Sequence, residues 1–85
     1  MKIGVAGSKE SSDCLVTVKE SDIDEIIIDS VVGAFFHVQI NKVIIDTLEE
    51  YKVKHVSVTC IDRGALDSTI KARLITAIER MNGDD

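Results

Sequence analysis

A chain of 85 residues reads as one domain, residues 1–85, and a domain this small buries roughly 60–65% of the surface its unfolded form exposes. That supports a two-layer core but not a deep active-site cleft as well. Fifteen acids against ten bases leave a net charge of −5, which argues against nucleic-acid binding, where affinity comes from Lys and Arg neutralising phosphates.

Residues 2–6 read as a short strand with Ile3 and Val5 on one face. Residues 13–19 alternate more clearly, with Cys14, Val16 and Val18 inward and Asp13, Leu15, Thr17 and Lys19 outward. Residues 7–12, Gly-Ser-Lys-Glu-Ser-Ser, connect the two as a hairpin. Extended backwards into this link, the alternation turns Ser12 toward the core and Ser11 toward solvent. Residues 24–30 give a third strand, with Ile26 and Ile28 inward and Glu25, Ile27 and Asp29 outward.

After Gly33 the period changes. Phe36, Ile40, Val43, Ile44, Thr47, Leu48 and Tyr51 share one face of a helix over residues 34–51, about five turns long. Residues 52–60 return to period two, with Val56, Val58 and Cys60 inward and His55, Ser57 and Thr59 outward. Beyond Gly64 a second helix carries the stripe Leu66, Ile70, Leu74, Ala77, Ile78 and Met81. Asp67 lies in its first turn, where a carboxylate complements the helix dipole, and Asn82-Gly83 ends it. The order β-β-β-α-β-α predicts an α+β two-layer sandwich: one four-stranded mixed sheet with both helices on one face. The first two strands form a hairpin, and the third strand, first helix and fourth strand a parallel crossover. The other sheet face is expected to be largely polar, with Thr17, Lys19, Glu25 and Ser57. Leu15 and Ile27 interrupt it, either as a small docking patch or as ordinary exposed residues.

No run approaches the roughly 20 apolar residues of a membrane span, and residues 1–5 lack a signal peptide's apolar region. A cytoplasmic protein without membrane contact is expected, with Cys14 and Cys60 as reduced thiols and Cys14 a buried, apolar one. His37 and His55 have no Cys or carboxylate partner at metal-ligand spacing, so no metal is assigned. Ser11 is not on a Gly-x-Ser-x-Gly elbow, and the glycines form no phosphate-binding loop, so no catalytic residue is assigned.

Three short acidic-serine segments remain: Glu10-Ser11-Ser12-Asp13, Asp29-Ser30-Val31 and Asp67-Ser68-Thr69. Such serines serve as turn and cap residues, or as points where an enzyme attaches a phosphate-linked group. Asp29-Ser30-Val31 resembles the Asp-Ser-Leu attachment motif of fatty-acid acyl carriers, but those are helical bundles and this chain begins with strands. Asp67-Ser68 falls inside a helix. Only Ser11 is expected on an exposed turn, where a modifying enzyme can reach a hydroxyl.

The segment Val5-Ala6-Gly7-Ser8-Lys9-Glu10-Ser11-Ser12-Asp13 resembles the N-terminal signature of the citrate lyase acyl carrier (gamma) subunit family, in which Val-Ala-Gly precedes Glu-Ser-(Gly or Ser)-Asp. Asp62-Arg63-Gly64-Ala65-Leu66-Asp67, followed by Ala72-Arg73, is similar to the family's second signature. The resemblance implies a non-catalytic carrier. Ser11, with Ser12 the lesser candidate, would hold a phosphoribosyl-dephospho-CoA group through a phosphodiester, and the group's thiol would carry acetyl and citryl thioesters. The implied partners are the alpha (acyl transferase) and beta (acyl lyase) subunits and the prosthetic-group transferase. Glu10 and Asp13 flank Ser11 and would either be read by the attaching enzyme or simply solvate the turn. The chain ends sooner after its second helix than is usual in the family. Carriers of citramalate lyase and malonate decarboxylase use the same type of arm and are the nearest alternatives. An unmodified acidic interaction domain is the alternative of another class.

Overall fold

The computed structural model describes residues 1–31 and 33–83, which form four strands and two helices in the expected order. These are β1 (Ile3–Gly7), β2 (Cys14–Glu20), β3 (Glu25–Ser30), α1 (Ala34–Glu50), β4 (Val56–Asp62) and α2 (Asp67–Met81). They build one mixed sheet in the order β1-β2-β4-β3. β1 pairs antiparallel with β2 and β2 antiparallel with β4, while β3 lies parallel to β4 across the α1 crossover. The predicted α+β sandwich is the fold.

The strand periodicity survives in the register. Val16 pairs with Cys60 and Val18 with Val58, and with Cys14 they make a fully buried sheet surface beneath the helices. Ile44 of α1 and Ile70, Leu74 and Ala77 of α2 close over it. Thr47 is the polar member of the α1 stripe, and its hydroxyl donates to the Val43 carbonyl at 2.8 Å, which satisfies it where it is buried. Cys14 and Cys60 are free thiols, both buried; the hydrogen bond between their side chains and burial push the Cys60 thiol up.

β1 buries its smaller residues. Gly4 and Ala6 face α2, while Ile3 and Val5 lie on the open side of the sheet. The reason is proximity. A Cβ on Gly4 would stand 1.9 Å from the Ala77 carbonyl oxygen and 2.4 Å from the Met81 nitrogen, so α2 packs its backbone directly onto the strand.

Several details differ from the pattern read along the chain. Strand β4 starts at Val56 because residues 51–53 finish the helix instead: Lys52 takes a left-handed φ of 54°, its N–H donates to Glu49 and that of Val53 to Leu48. This is a Schellman ending without glycine, which hides it from sequence rules. His55 is consequently an exposed loop residue at φ 60°, not an outward strand position. Ser57 does point to the open face yet is buried, because Glu25 across the ladder accepts its hydroxyl at 3.0 Å and covers it. Phe36 and Tyr51, predicted on the buried stripe of α1, are each 46% exposed, and Leu66 is 73% exposed because it precedes α2 as its N-cap. The open face is more apolar than expected, since Ile3, Val5 and the half-buried Ile61 join Leu15 and Ile27 there.

Candidate functional site

The two signature segments, about fifty residues apart in sequence, dock on one another at one end of the sheet. Cys14, which begins β2, pairs with Asp62, which ends β4. The ladder continues past both strands: Arg63 N–H donates to the Asp13 carbonyl at 2.9 Å, and Ser12 N–H to the Arg63 carbonyl at 2.8 Å. Asp13 N–H donates back to the Glu10 carbonyl at 3.1 Å, closing a β-turn with Ser11 and Ser12 at its two central positions. Ser12 has a φ of 68° while Ser11 is not in the left-handed region, the pattern of a turn whose third residue favours glycine.

Both serines are exposed. The expectation that Ser12 faces the core is therefore overturned. Strand alternation stops at Cys14, and the left-handed backbone at Ser12 rotates its side chain out of the pleat that the extrapolation assumed. Among the described residues nothing hydrogen-bonds Ser11 Oγ, so the hydroxyl stands in solvent on a fixed turn. That arrangement fits a group joined through a serine ester. It offers room outward and requires no displaced packing.

Asp13 is what holds the turn rigid. Arg73 of α2 grips it through two parallel bonds, Nε to Oδ1 at 3.1 Å and a terminal guanidinium nitrogen to Oδ2 at 3.0 Å. Ser8 Oγ donates to Oδ2 at 2.8 Å, the Cys14 N–H donates to Oδ1 at 2.7 Å, and Ser8 Oγ in turn accepts the Glu10 N–H. The Arg73 hydrogen bonds, followed by those of Ser8 and Cys14, lower the Asp13 pKa from its ordinary 3.8 to about 2. Gly7 completes the clamp. Its φ is 97°, and the place of a Cβ is taken by the Cys14 carbonyl oxygen at 1.9 Å, with Arg73 Cδ at 3.2 Å. Glu10, by contrast, is exposed.

The chain is similar in sequence to known proteins. The family model described as "ACP: Malonate decarboxylase delta subunit (MdcD)" matches residues 1–81. The citrate lyase acyl carrier protein of Streptococcus mutans serotype c is 54% identical over 78 residues, a match covering 89% of this chain and 76% of that protein. That of Treponema denticola is 42% identical over 78 residues, covering 92% and 90%. The chain belongs to the citrate lyase acyl carrier protein family. A third relative of the same name, from Oenococcus oeni, is 43% identical over 86 residues, covering 99% of this chain and 89% of that one. No solved structure matches.

Family membership gives the signatures a physical meaning. Gly7 and Arg73 enclose Asp13, and Asp62, nearly fully buried, anchors the second segment. One Asp62 oxygen accepts Ser30 Oγ at 2.9 Å and the other accepts the Ala65 N–H at 2.9 Å, tying the ends of β3 and β4 to the start of α2. Ser30, the serine of the Asp-Ser-Val segment, is thus engaged with Asp62, and Ser68 lies in the first turn of α2. Asp62→Ala removes both bonds from a buried site and is expected to cost about 2–4 kcal/mol, readable as a lowered urea midpoint with an unchanged m-value.

Sequence reading missed Arg73 and Ser8 as site residues. Arg73 stood in the second signature, but its reach to Asp13 spans 60 positions and no local pattern encodes it. His37 and His55 are both exposed, and among the described residues no three His, Cys, Asp or Glu side chains gather as a metal site. Among those residues no helix is long and apolar enough to cross a membrane.

The lowered Asp13 pKa predicts a pH dependence. A carboxylate with a depressed folded-state pKa contributes stability above its unfolded value and loses it as pH falls to the folded one. The thermal midpoint of Asp13→Asn should therefore lie below wild type by a constant gap above about pH 5. The gap should narrow between 3.8 and about 2 and close below that. A gap unchanged across this window in paired thermal scans would mean that Asp13 acts through packing and not charge.

Proposed function

We propose that this chain is the acyl carrier subunit of citrate lyase and that Ser11 holds a phosphoribosyl-dephospho-CoA arm through a phosphodiester. The observation that carries the reading is the docking of the two signature segments around a solvent-facing Ser11 Oγ on a clamped turn. On attachment Ser11 Oγ displaces a phosphate-type leaving group from the phosphorus of an activated arm donor. The Ser11 O–H bond and the donor's P–O bond break, and the new O–P bond forms. The proton passes to a base of the attaching enzyme, and the leaving group departs with the P–O electron pair. The bound arm supplies a thiol that carries acetyl and citryl groups as thioesters.

This chain's own part is mechanical. Arg73, Ser8 and Gly7 hold the turn against α2, so the arm is rooted at a fixed point, and tethering raises the effective concentration of the acyl group at the alpha and beta subunits. A non-catalytic role belongs to this reading, which the relatives' name of acyl carrier protein supports. Of the two flanking acids, the exposed Glu10 would be the one read by the prosthetic-group transferase, whereas Asp13 is committed to Arg73 and acts as a positioning residue. Cytoplasmic location is part of the same reading.

Because the matching family model is described as a malonate decarboxylase subunit, the carrier of that complex is the second reading. Intact mass of the chain from its native host tests the proposal, with peptide mapping to the segment spanning Glu10 to Lys19 and identification of the acyl group released from the arm. Added mass on that peptide with acetyl or citryl is expected; malonyl would favour the second reading. An unmodified chain in cells with an active complex would leave an acidic interaction domain as the better description.

A further inference from the structure

An apolar surface lies at the same end of the sheet as Ser11. Val31, Phe35, Val38 and Leu66 are 63%, 78%, 72% and 73% exposed, and Phe36 is 46% exposed. The two phenyl rings pack edge to face with centroids 5.4 Å apart, and Phe36 and Leu66 line one shallow pocket at the start of both helices. A series of contacts leads from the turn toward it. Ser12 is bonded to Arg63, whose guanidinium approaches Asp29 of β3 to 3.8 Å, and β3 leads through Val31 to α1. The end of β3 is two strand spacings from the start of β2, about 10 Å.

The geometry points to this apolar surface as the seat of the enzyme that esterifies Ser11, an inference that rests on the carrier reading above. That enzyme must bring its reacting atoms into bonding contact with Ser11 Oγ, with no arm yet present to span a gap. A standard protein interface covers about 800 Å² on each partner, a disc of about 16 Å radius, so an enzyme centred on the turn extends past the end of β3 toward the start of α1. The catalytic subunits are under no such constraint, because the finished arm reaches them from a distance. Exposed aromatics are the residue type that dominates interface energy, and Glu10, Asp29 and Asp67 give the surrounding surface more exposed acid than the Lys9 and Arg63 beside them offset. The partner surface is accordingly an apolar socket with a basic rim.

Phe35→Ala/Leu66→Ala tests this with the purified apo chain, the purified attaching transferase of the same host and its arm donor, following mass gain with time. The double variant should keep the wild-type thermal midpoint and lose at least tenfold in kcat/KM for loading, mainly through KM. Ile23→Ala, which removes a 69% exposed apolar residue from the loop between β2 and β3, should load as wild type does. Equal loading of wild type and double variant would overturn the assignment while leaving the carrier reading intact. So would normal loading with lost binding to the catalytic subunits, because the occupant would then be a different protein. Wild type that gains no mass on Ser11 would bring down the carrier reading and this surface with it.

Discussion

Gly4→Ala is expected to be among the most destabilising single-methyl changes in the chain. The added Cβ would meet backbone, not a movable side-chain tip: the Ala77 carbonyl oxygen at 1.9 Å and the Met81 nitrogen at 2.4 Å. Relief requires α2 to lift from β1, which would also open the contacts of Ala77, Ile78 and Met81 with the core. Overpacking of this kind costs about 3 kcal/mol. A domain of this size loses about 4–8 °C of thermal midpoint per kcal/mol, so a fall of roughly 12–24 °C is expected by calorimetry. A midpoint within a few degrees of wild type would show that α2 can shift along the strand at little cost. The same displacement would carry Arg73 away from Asp13, so the variant should also load more slowly than wild type.

Ser11→Ala has the opposite profile. The hydroxyl is exposed and makes no hydrogen bond among the described residues, so its removal should leave the thermal midpoint within a few degrees of wild type. Loading should be abolished, although Ser12 leaves a second exposed hydroxyl in the turn. Ser12→Gly is the informative companion. A non-glycine residue with φ near 68° carries a steric cost of about 1–2 kcal/mol, so glycine there should be neutral or stabilising, and loading should continue on Ser11. Loading that survives Ser11→Ala and disappears in Ser12→Gly would move the attachment to Ser12. A marked loss of stability in Ser11→Ala would make that serine structural.

Periodicity was sufficient for the elements because the two faces of each strand differ so strongly in this chain. Cys14, Val16 and Val18 against Leu15, Thr17 and Lys19 specify β2 and its inward face with no knowledge of its neighbours. The same holds for the buried stripe of α2 from Ile70 to Met81. Where the pattern misled, a local conformation had replaced the regular one. Lys52 and His55 adopt left-handed backbones without being glycine, and Ser12 does the same inside the turn. A φ value is settled by the hydrogen bonds that a residue finds in space, and the residue name carries only a preference.

Read alone, then, the chain specified its strands and helices, their order, the α+β class and a serine turn flanked by acids, since each of these depends on neighbours within one element or one bend. Three things needed the folded molecule: the Asp13–Arg73 clamp, the union of two signatures through Arg63, and the meeting of Phe36 and Leu66 at one pocket where both helices start. Each is a contact between segments far apart in sequence, whose closeness is created by sheet pairing and helix packing and leaves no periodic trace along the chain.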